Sequence, residues 1–264
     1  MWINGVKQEH VPALDRSFQY GDGCFTTIQT QFGELRHWEL HVERMQACLN
    51  TLGIATPPWR DIKHQLMDIA LDDPIAGVKL LISRGSGGRG YASPHNAHSL
   101  IMSNHFAYPQ HYPQWQTDGI KLGISRIKLG HNPLLAGHKH NNRLEQVLVK
   151  NDLDAQQVDD GVVLDINEHI VETSSANIFW RKGSTLYTPI LDKAGVAGII
   201  RRLIIQDAEP LGFKALLGRF DLVDLHDADE VFVSNALLGV APVVQVGERR
   251  YPIGELTLKL QKRV

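Results

Sequence analysis

The stretch Val162-Val163-Leu164-Asp165-Ile166-Asn167-Glu168-His169-Ile170-Val171-Glu172-Thr173-Ser174-Ser175-Ala176-Asn177-Ile178-Phe179 decides the fold class. Two apolar runs, Val162 to Asp165 and His169 to Val171, flank Ile166-Asn167-Glu168, which is a hairpin signal. Asn177 to Arg181 and Thr185 to Thr188 continue the meander across Gly183. A helix is expected at Ile199 to Ala208, ended by Pro210, and further strands after it at Glu230 to Ser234 and Val243 to Val246. Strands in succession rather than repeated strand–helix–strand units favour an α+β fold with mixed sheets over a doubly wound one.

Upstream, strands and helices alternate more evenly. Phe25 to Thr30 reads as a strand, Phe32-Gly33-Glu34 as a turn, and Leu35 to Trp38 as a short return strand. Trp38 to Leu52 places Leu40, Met45, Leu49 and Leu52 near one helical face, with Gly53 as the stop. Trp59 to Leu71 repeats that pattern, and Val78 to Ile82 and Ser99 to Ser103 are strand candidates. Residues 107–118 carry two prolines and no aliphatic side chain larger than alanine, so they read as a linker. The expected division is a smaller α/β lobe at 1–106, the interdomain linker at 107–118, and a larger lobe at 119–264.

The 264 residues are 43% hydrophobic and 21% charged, which leaves no room for extensive disorder. Lys+Arg 27 against Asp+Glu 29 gives −2, so no basic excess points to nucleic acid or an anionic membrane. No apolar run reaches the ~18 residues a spanning helix needs, and the start lacks the apolar core of a signal peptide. The two cysteines, Cys24 and Cys48, make no disulfide framework and no cysteine zinc site. They fit a reducing cytoplasm.

Four places carry candidate chemistry. Arg84-Gly85-Ser86-Gly87-Gly88-Arg89-Gly90-Tyr91 satisfies G-x-G-x-x-G, yet Tyr91-Ala92-Ser93-Pro94 follows where a dinucleotide fingerprint needs a helix. It reads either as a flexible turn or as a loop whose amides and two arginines clamp a carboxylate. Lys139 stands between His138 and His140 with Arg143 close by. Neighbouring cations and partial burial lower an ammonium pKa, as a nucleophilic lysine requires; the bland alternative is a solvated surface lysine. Asn142, with Glu145 three residues on, fits a helix N-cap. Histidines 131, 138 and 140 have no acid nearby until Glu145, so no metal is expected. Glu172 is either a solvated edge charge or a buried acid that holds a proton on a heterocyclic nitrogen. Gly195-Val196-Ala197-Gly198-Ile199-Ile200-Arg201 opens a helix without a side-chain cap, which leaves amides for a phosphate. Asn235, at the end of a strand, says by itself only that a turn follows.

In this order the pieces resemble the fold type IV pyridoxal-phosphate enzymes, the class IV aminotransferase family. The likeness is carried by Glu172-x-Ser174-x-x-Asn177-Ile178-Phe179, Leu186-x-Thr188 and Val196-x-Gly198-Ile199-x-Arg201. It extends to Asp15-Arg16-x-Phe18-Gln19-Tyr20-Gly21-Asp22-Gly23-Cys24-Phe25 and to His41-x-x-Arg44, so it spans nearly the whole chain. The resemblance implies a two-lobed α+β enzyme with mixed sheets and flanking helices, the cofactor pyridoxal 5'-phosphate in the larger lobe, and a homodimer. It implies that Lys139 holds the cofactor covalently and that Glu172 pairs with the pyridine nitrogen. It also implies that Arg44, the amides of Ile199 and Ile200, and Asn235 seat the phosphate. Phe18 to Thr27, the Ile82 to Tyr91 run and Gly137-x-Lys139-His140-x-Asn142-Arg143-Leu144-Glu145-Gln146-Val147-Leu148 are similar to the lyase branch of the family. That branch releases pyruvate from 4-amino-4-deoxychorismate to give 4-aminobenzoate in folate synthesis. A transaminase for D-amino acids or branched-chain amino acids is the alternative on the same scaffold. With the lyase, Arg84 and Arg89 are expected to hold the carboxylates of a small dicarboxylate substrate.

Overall fold

A computed structural model describes residues 1–94 and 97–264. The chain forms two compact units. Unit 1 is Met1–Tyr108 with His138–Asn142, and unit 2 is Pro109–Gly137 with Arg143–Val264. The lysine-bearing segment His138–Asn142 therefore belongs to the first unit, although the linear division places it in the second.

Unit 1 comprises β1 (Trp2–Ile3), β2 (Val6–Lys7), α1 (Arg16–Tyr20), β3 (Gly23–Gln31), β4 (Glu34–Leu35), α2 (Trp38–Leu52), α3 (Trp59–Ile69), β5 (Ala76–Ser83) and β6 (Leu100–Ala107). The strands form one sheet in the order β2-β1-β6-β5-β3-β4, antiparallel throughout. Strict alternation decides its faces. Cys24, Thr26, Ile28 and Thr30 are buried on one side, and Phe25, Thr27 and Gln29 lie half-buried on the other. The buried side joins Met45, Cys48 and Leu49 of α2 and Ile62 and Leu66 of α3 in one core. Helix α2 stops where glycine predicts: Gly53, at φ 63°, takes the left-handed turn and donates to the carbonyls of Leu49 and Asn50.

Unit 2 comprises α4 (Tyr112–Asp118), β7 (Ile120–Ile124), α5 (Leu144–Ala155), β8 (Asp160–Leu164), β9 (Ile170–Thr173), β10 (Asn177–Lys182), β11 (Thr185–Pro189), α6 (Ile199–Ala208), β12 (Lys214–Gly218), β13 (Glu230–Asn235), β14 (Gly239–Val246), β15 (Arg249–Arg250) and α7 (Glu255–Gln261). Its nine strands run β12-β11-β10-β13-β14-β7-β8-β9, with β15 on β14. The β11–β12, β14–β7 and β7–β8 pairs are parallel and the rest antiparallel. The sheet is mixed, as a strand-rich α+β pattern implies. Both faces of its centre are buried, so the apolar runs are continuous. Ile178 and Trp180 enter one core while Phe179 enters the other, where its ring stacks on Phe232 at 5.1 Å.

Two local readings need correction. The proline-bearing stretch read as a linker holds helix α4, with Pro113 in its first turn, where a missing amide costs nothing. Tyr112 and Trp115 of α4 pack against a core of unit 2, which supplies the apolar anchor the aliphatic count overlooked. Helix α5 is not capped by Asn142: it begins at Leu144 behind Arg143, without a side-chain cap. The Glu145 carboxylate instead accepts from the Gly130 amide at 2.9 Å. Asn142 packs against Gly21, where any Cβ would overlap its amide group.

Candidate active site

In unit 1 the segment around Lys139 attaches to β3 through an isolated antiparallel bridge. The Phe25 amide donates to the Lys139 carbonyl at 3.0 Å, and the Asn141 amide donates to Gly23 at 2.9 Å. Cys24 and His140 pair in antiparallel register. Side-chain bonds hold the same segment at both ends, His138 Nε2 with Thr51 Oγ1 at 3.0 Å and Asn141 Nδ2 to Ser17 Oγ at 2.7 Å. Burial pushes the His138 imidazole below its ordinary pKa, which favours its neutral form. Gly23 is required here, because a Cβ would overlap the Ile82 carbonyl. The Lys139 ammonium lies 4.7 Å from the centre of the Phe25 ring, and that of Lys79 lies 5.0 Å from it. Lys139 is thus half-buried against an aromatic face rather than a solvated surface lysine.

Arg44 of α2 reaches the same strand, where its Nη2 donates to Thr26 Oγ1 at 2.7 Å. Thr26 also bonds His41 Nδ1 at 2.6 Å. His41 is 1% exposed, and burial, helped by Arg44 and His37, holds its pKa well below the ordinary value. A neutral His41 and a threonine hydroxyl therefore form a hydrogen-bonded chain that holds the Arg44 guanidinium against β3. Thr26 and Phe25, which contact Arg44 and Lys139, received no role from the sequence. The signal for them was their place within the Phe18 to Thr27 stretch of likeness, directly after the Gly21-Asp22-Gly23 turn.

In unit 2, Glu172 stands next to last in β9 with its carboxylate buried. Its Oε2 accepts the Val196 amide at 2.9 Å. Asn177 closes the same loop from β10: Nδ2 donates to the Val196 carbonyl at 2.8 Å, and Oδ1 accepts the Gly198 amide at 3.1 Å. Gly198 is required because a Cβ would overlap that Oδ1. Gly137 pairs with the loop from the other side, donating to Gly195 and accepting from Ala197, each at 2.9 Å. Beyond Gly198, α6 starts without a side-chain cap, so the amides of Ile199 and Ile200 stand at an uncapped N-terminus. The sequence reading took Asn177 only as part of a pattern; it is the clamp that shapes this helix start.

Two of the expected site residues are engaged by other parts of the chain. Arg84 Nε and Nη2 donate to Asp22 at 2.7 and 3.1 Å. Nη1 and Nη2 also donate to the carbonyls of Gly53 and Leu52, at 2.9 and 2.6 Å. It is committed to a buried carboxylate and to the C-terminus of α2, where a cation suits the helix dipole. Burial would raise the Asp22 pKa, but Arg84 and Arg16 outweigh it and hold the carboxyl below its ordinary value. Asn235 is committed as well. Its Oδ1 accepts the amides of Leu237 and Leu238 at 2.9 and 2.8 Å, and Nδ2 donates to the Ser175 carbonyl at 3.3 Å. These bonds shape the turn that follows β13. Arg89, by contrast, is exposed, with no side-chain partner among the described residues.

Each unit thus holds part of a recognisable outfit, an aromatic-backed lysine with a hydrogen-bonded arginine in one, a buried acid beside an uncapped helix start in the other. The profile of the family described as Amino-transferase class IV matches residues 23–246, and the chain belongs to that family. Among its relatives, an aminodeoxychorismate lyase from Vibrio harveyi is 48% identical over 98% of this chain and 97% of its own. A crystal structure of 4-amino-4-deoxychorismate lyase from Pseudomonas aeruginosa superposes with a TM-score of 0.90 at 34% identity, covering 99% of this chain and 97% of that one. A putative branched-chain-amino-acid aminotransferase from Methanocaldococcus jannaschii is 27% identical over the full chain and 94% of its own.

Proposed function

We propose that this chain is a pyridoxal-phosphate-dependent lyase that converts 4-amino-4-deoxychorismate to 4-aminobenzoate and pyruvate in folate synthesis. The observation that carries the reading is the 48% identity to the Vibrio harveyi lyase along 98% of the chain. The residues present fit the cofactor. Lys139 supplies an amine against an apolar ring, and Glu172 a buried carboxylate already oriented by a backbone donor. Arg44 offers a fixed guanidinium, and Ile199 and Ile200 offer uncapped amides. When bound, the cofactor supplies a protonated pyridine ring that accepts the electron pair left on the substrate's amine-bearing carbon.

In this proposal Glu172 keeps the pyridine nitrogen protonated, while the Val196 amide holds its carboxylate in place. Arg44 and the α6 amides bind the phosphate. Lys139 Nζ takes the proton from the amine-bearing ring carbon. As an ammonium it donates that proton to the departing enolpyruvate when the carbon–oxygen bond breaks. Aromatisation of the ring drives the cleavage. Arg89 is the remaining candidate for a substrate carboxylate, Arg84 being committed elsewhere.

Among the described residues no helix is long and apolar enough to cross a membrane. A cytoplasmic homodimer completes the proposal, supported by Leu14, Phe18 and Tyr91, which are 68, 76 and 88% exposed in unit 1. The test is pyruvate release from 4-amino-4-deoxychorismate without a keto acid. The lyase yields pyruvate and 4-aminobenzoate, whereas a transaminase is inactive until a keto acid is added.

A further inference from the structure

The glycine-rich loop after β5 is built around an arginine far from it in sequence. Arg16 of α1 is 4% exposed. Its Nη1 donates to the carbonyls of Gly87, Gly90 and Ala92 at 3.2–3.3 Å, and its Nη2 to that of Tyr91 at 3.2 Å. Its Nε donates to Asp22 Oδ2 at 2.8 Å, which balances the buried charge. The loop is shaped for this cation. Gly87, Gly88 and Gly90 have φ of 115°, 81° and 57°, backbone that side chains rarely adopt and that turns successive carbonyls inward. A Cβ on Gly88 would overlap the Ala92 carbonyl and approach Arg16 Nη1. Tyr20 finishes the clamp, its ring 5.0 Å from the guanidinium and edge-on to Tyr91 at 5.5 Å.

Arg89 lies inside the gathered segment with its side chain exposed. We infer that Arg16 is a positioning residue: by gathering the carbonyls of residues 87–92 it sets where Arg89 stands, and so sets affinity for the substrate's carboxylate. This rests on the proposed lyase reading of Arg89. A lysine cannot replace Arg16, because a compact ammonium has three donors and no planar fork to span four carbonyls and a carboxylate.

The experiment compares wild-type, Arg16→Lys and Arg89→Ala holoenzymes in the pyruvate assay, with trypsin cleavage at Arg89 as a second readout. Arg16→Lys is expected to raise KM about tenfold, with kcat within about twofold and the visible cofactor band unmoved. The Arg89–Gly90 bond should be cut about tenfold faster in Arg16→Lys, and in folded wild-type protein far more slowly than in the denatured chain. Unchanged KM and cleavage in Arg16→Lys, with KM raised in Arg89→Ala, overturns the inference and leaves the proposed function standing. Unchanged KM in Arg89→Ala overturns the carboxylate role of the loop instead. Should Arg16→Lys not fold, cleavage of the folded wild-type bond at the denatured rate still refutes the clamp.

Discussion

Replacing Asn177 by alanine tests how far a single side chain builds the helix-start half of the site. Asn177 makes two bonds, to the Val196 carbonyl at 2.8 Å and from the Gly198 amide at 3.1 Å. Alanine removes both and leaves both backbone groups to find water. The loop is half-exposed, so each loss belongs at the lower end of the range for stranded polar groups, about 1 kcal/mol, or ~2 kcal/mol together. For a chain of this size that corresponds to a Tm lower by roughly 4–8 °C. Cofactor affinity should suffer as well, because the loop carries the donor to Glu172 and leads directly into the α6 amides. A further ~1.4 kcal/mol of disorder at the phosphate seat is a tenfold rise in Kd. The assay is titration of apoenzyme with pyridoxal phosphate, followed by the visible band, beside a thermal melt. Asn177→Asp sharpens it: it keeps the acceptor for Gly198 but loses the donor to Val196 and puts negative charge beside the phosphate. Asn177→Asp should therefore bind the cofactor more weakly than its size suggests. An Asn177→Ala enzyme with wild-type Kd and a Tm within 1 °C would refute the reasoning.

Glu172→Gln keeps an acceptor for the Val196 amide and loses only the charge, so the melt should move little while kcat falls by orders of magnitude. Equal losses of Tm and kcat would point to a structural acid. Lys139→Met should leave no protein-bound cofactor after borohydride reduction, as judged by mass spectrometry, and no pyruvate release. Stability should also fall in mild acid through His41. The unfolded imidazole takes its proton near the ordinary 6.5, whereas burial and Arg44 resist protonation in the folded protein. The unfolded chain therefore binds more protons below that pH, and the contribution present above 6.5 is lost as pH falls toward the depressed value. Urea midpoints from pH 7.5 to 5 should show this slope, and His41→Gln should reduce it. Sedimentation should give a species near twice the chain mass; a monomer at micromolar concentration would remove the homodimer from the proposal.

Most secondary structure was legible because it is local. The period of Trp38 to Leu52 and the glycine after it give α2 its ends, and hairpin chemistry gives the 162–188 meander its turns. The uncapped start of α6 was legible for the same reason: a run of Gly, Val and Ala has no side chain able to cap. Lys139 and Glu172 stood out by type and neighbours, but only the fold supplies the Phe25 ring and the Val196 donor that support the roles proposed for them.

Sequence alone thus determined which residues are chemically equipped: one lysine among imidazoles, one acid before a small-residue run, one helix start with bare amides, and a glycine loop rich in arginine. Tertiary structure decided what the arginines do. Arg84 and Arg89 are five residues apart and look alike on paper, yet Asp22, 62 residues away, captures the first and leaves the second exposed. Arg16 claims the loop's carbonyls from 71 to 76 residues away. A guanidinium's function depends on which acceptors surround it, and those acceptors are assembled by long-range packing that no local pattern encodes.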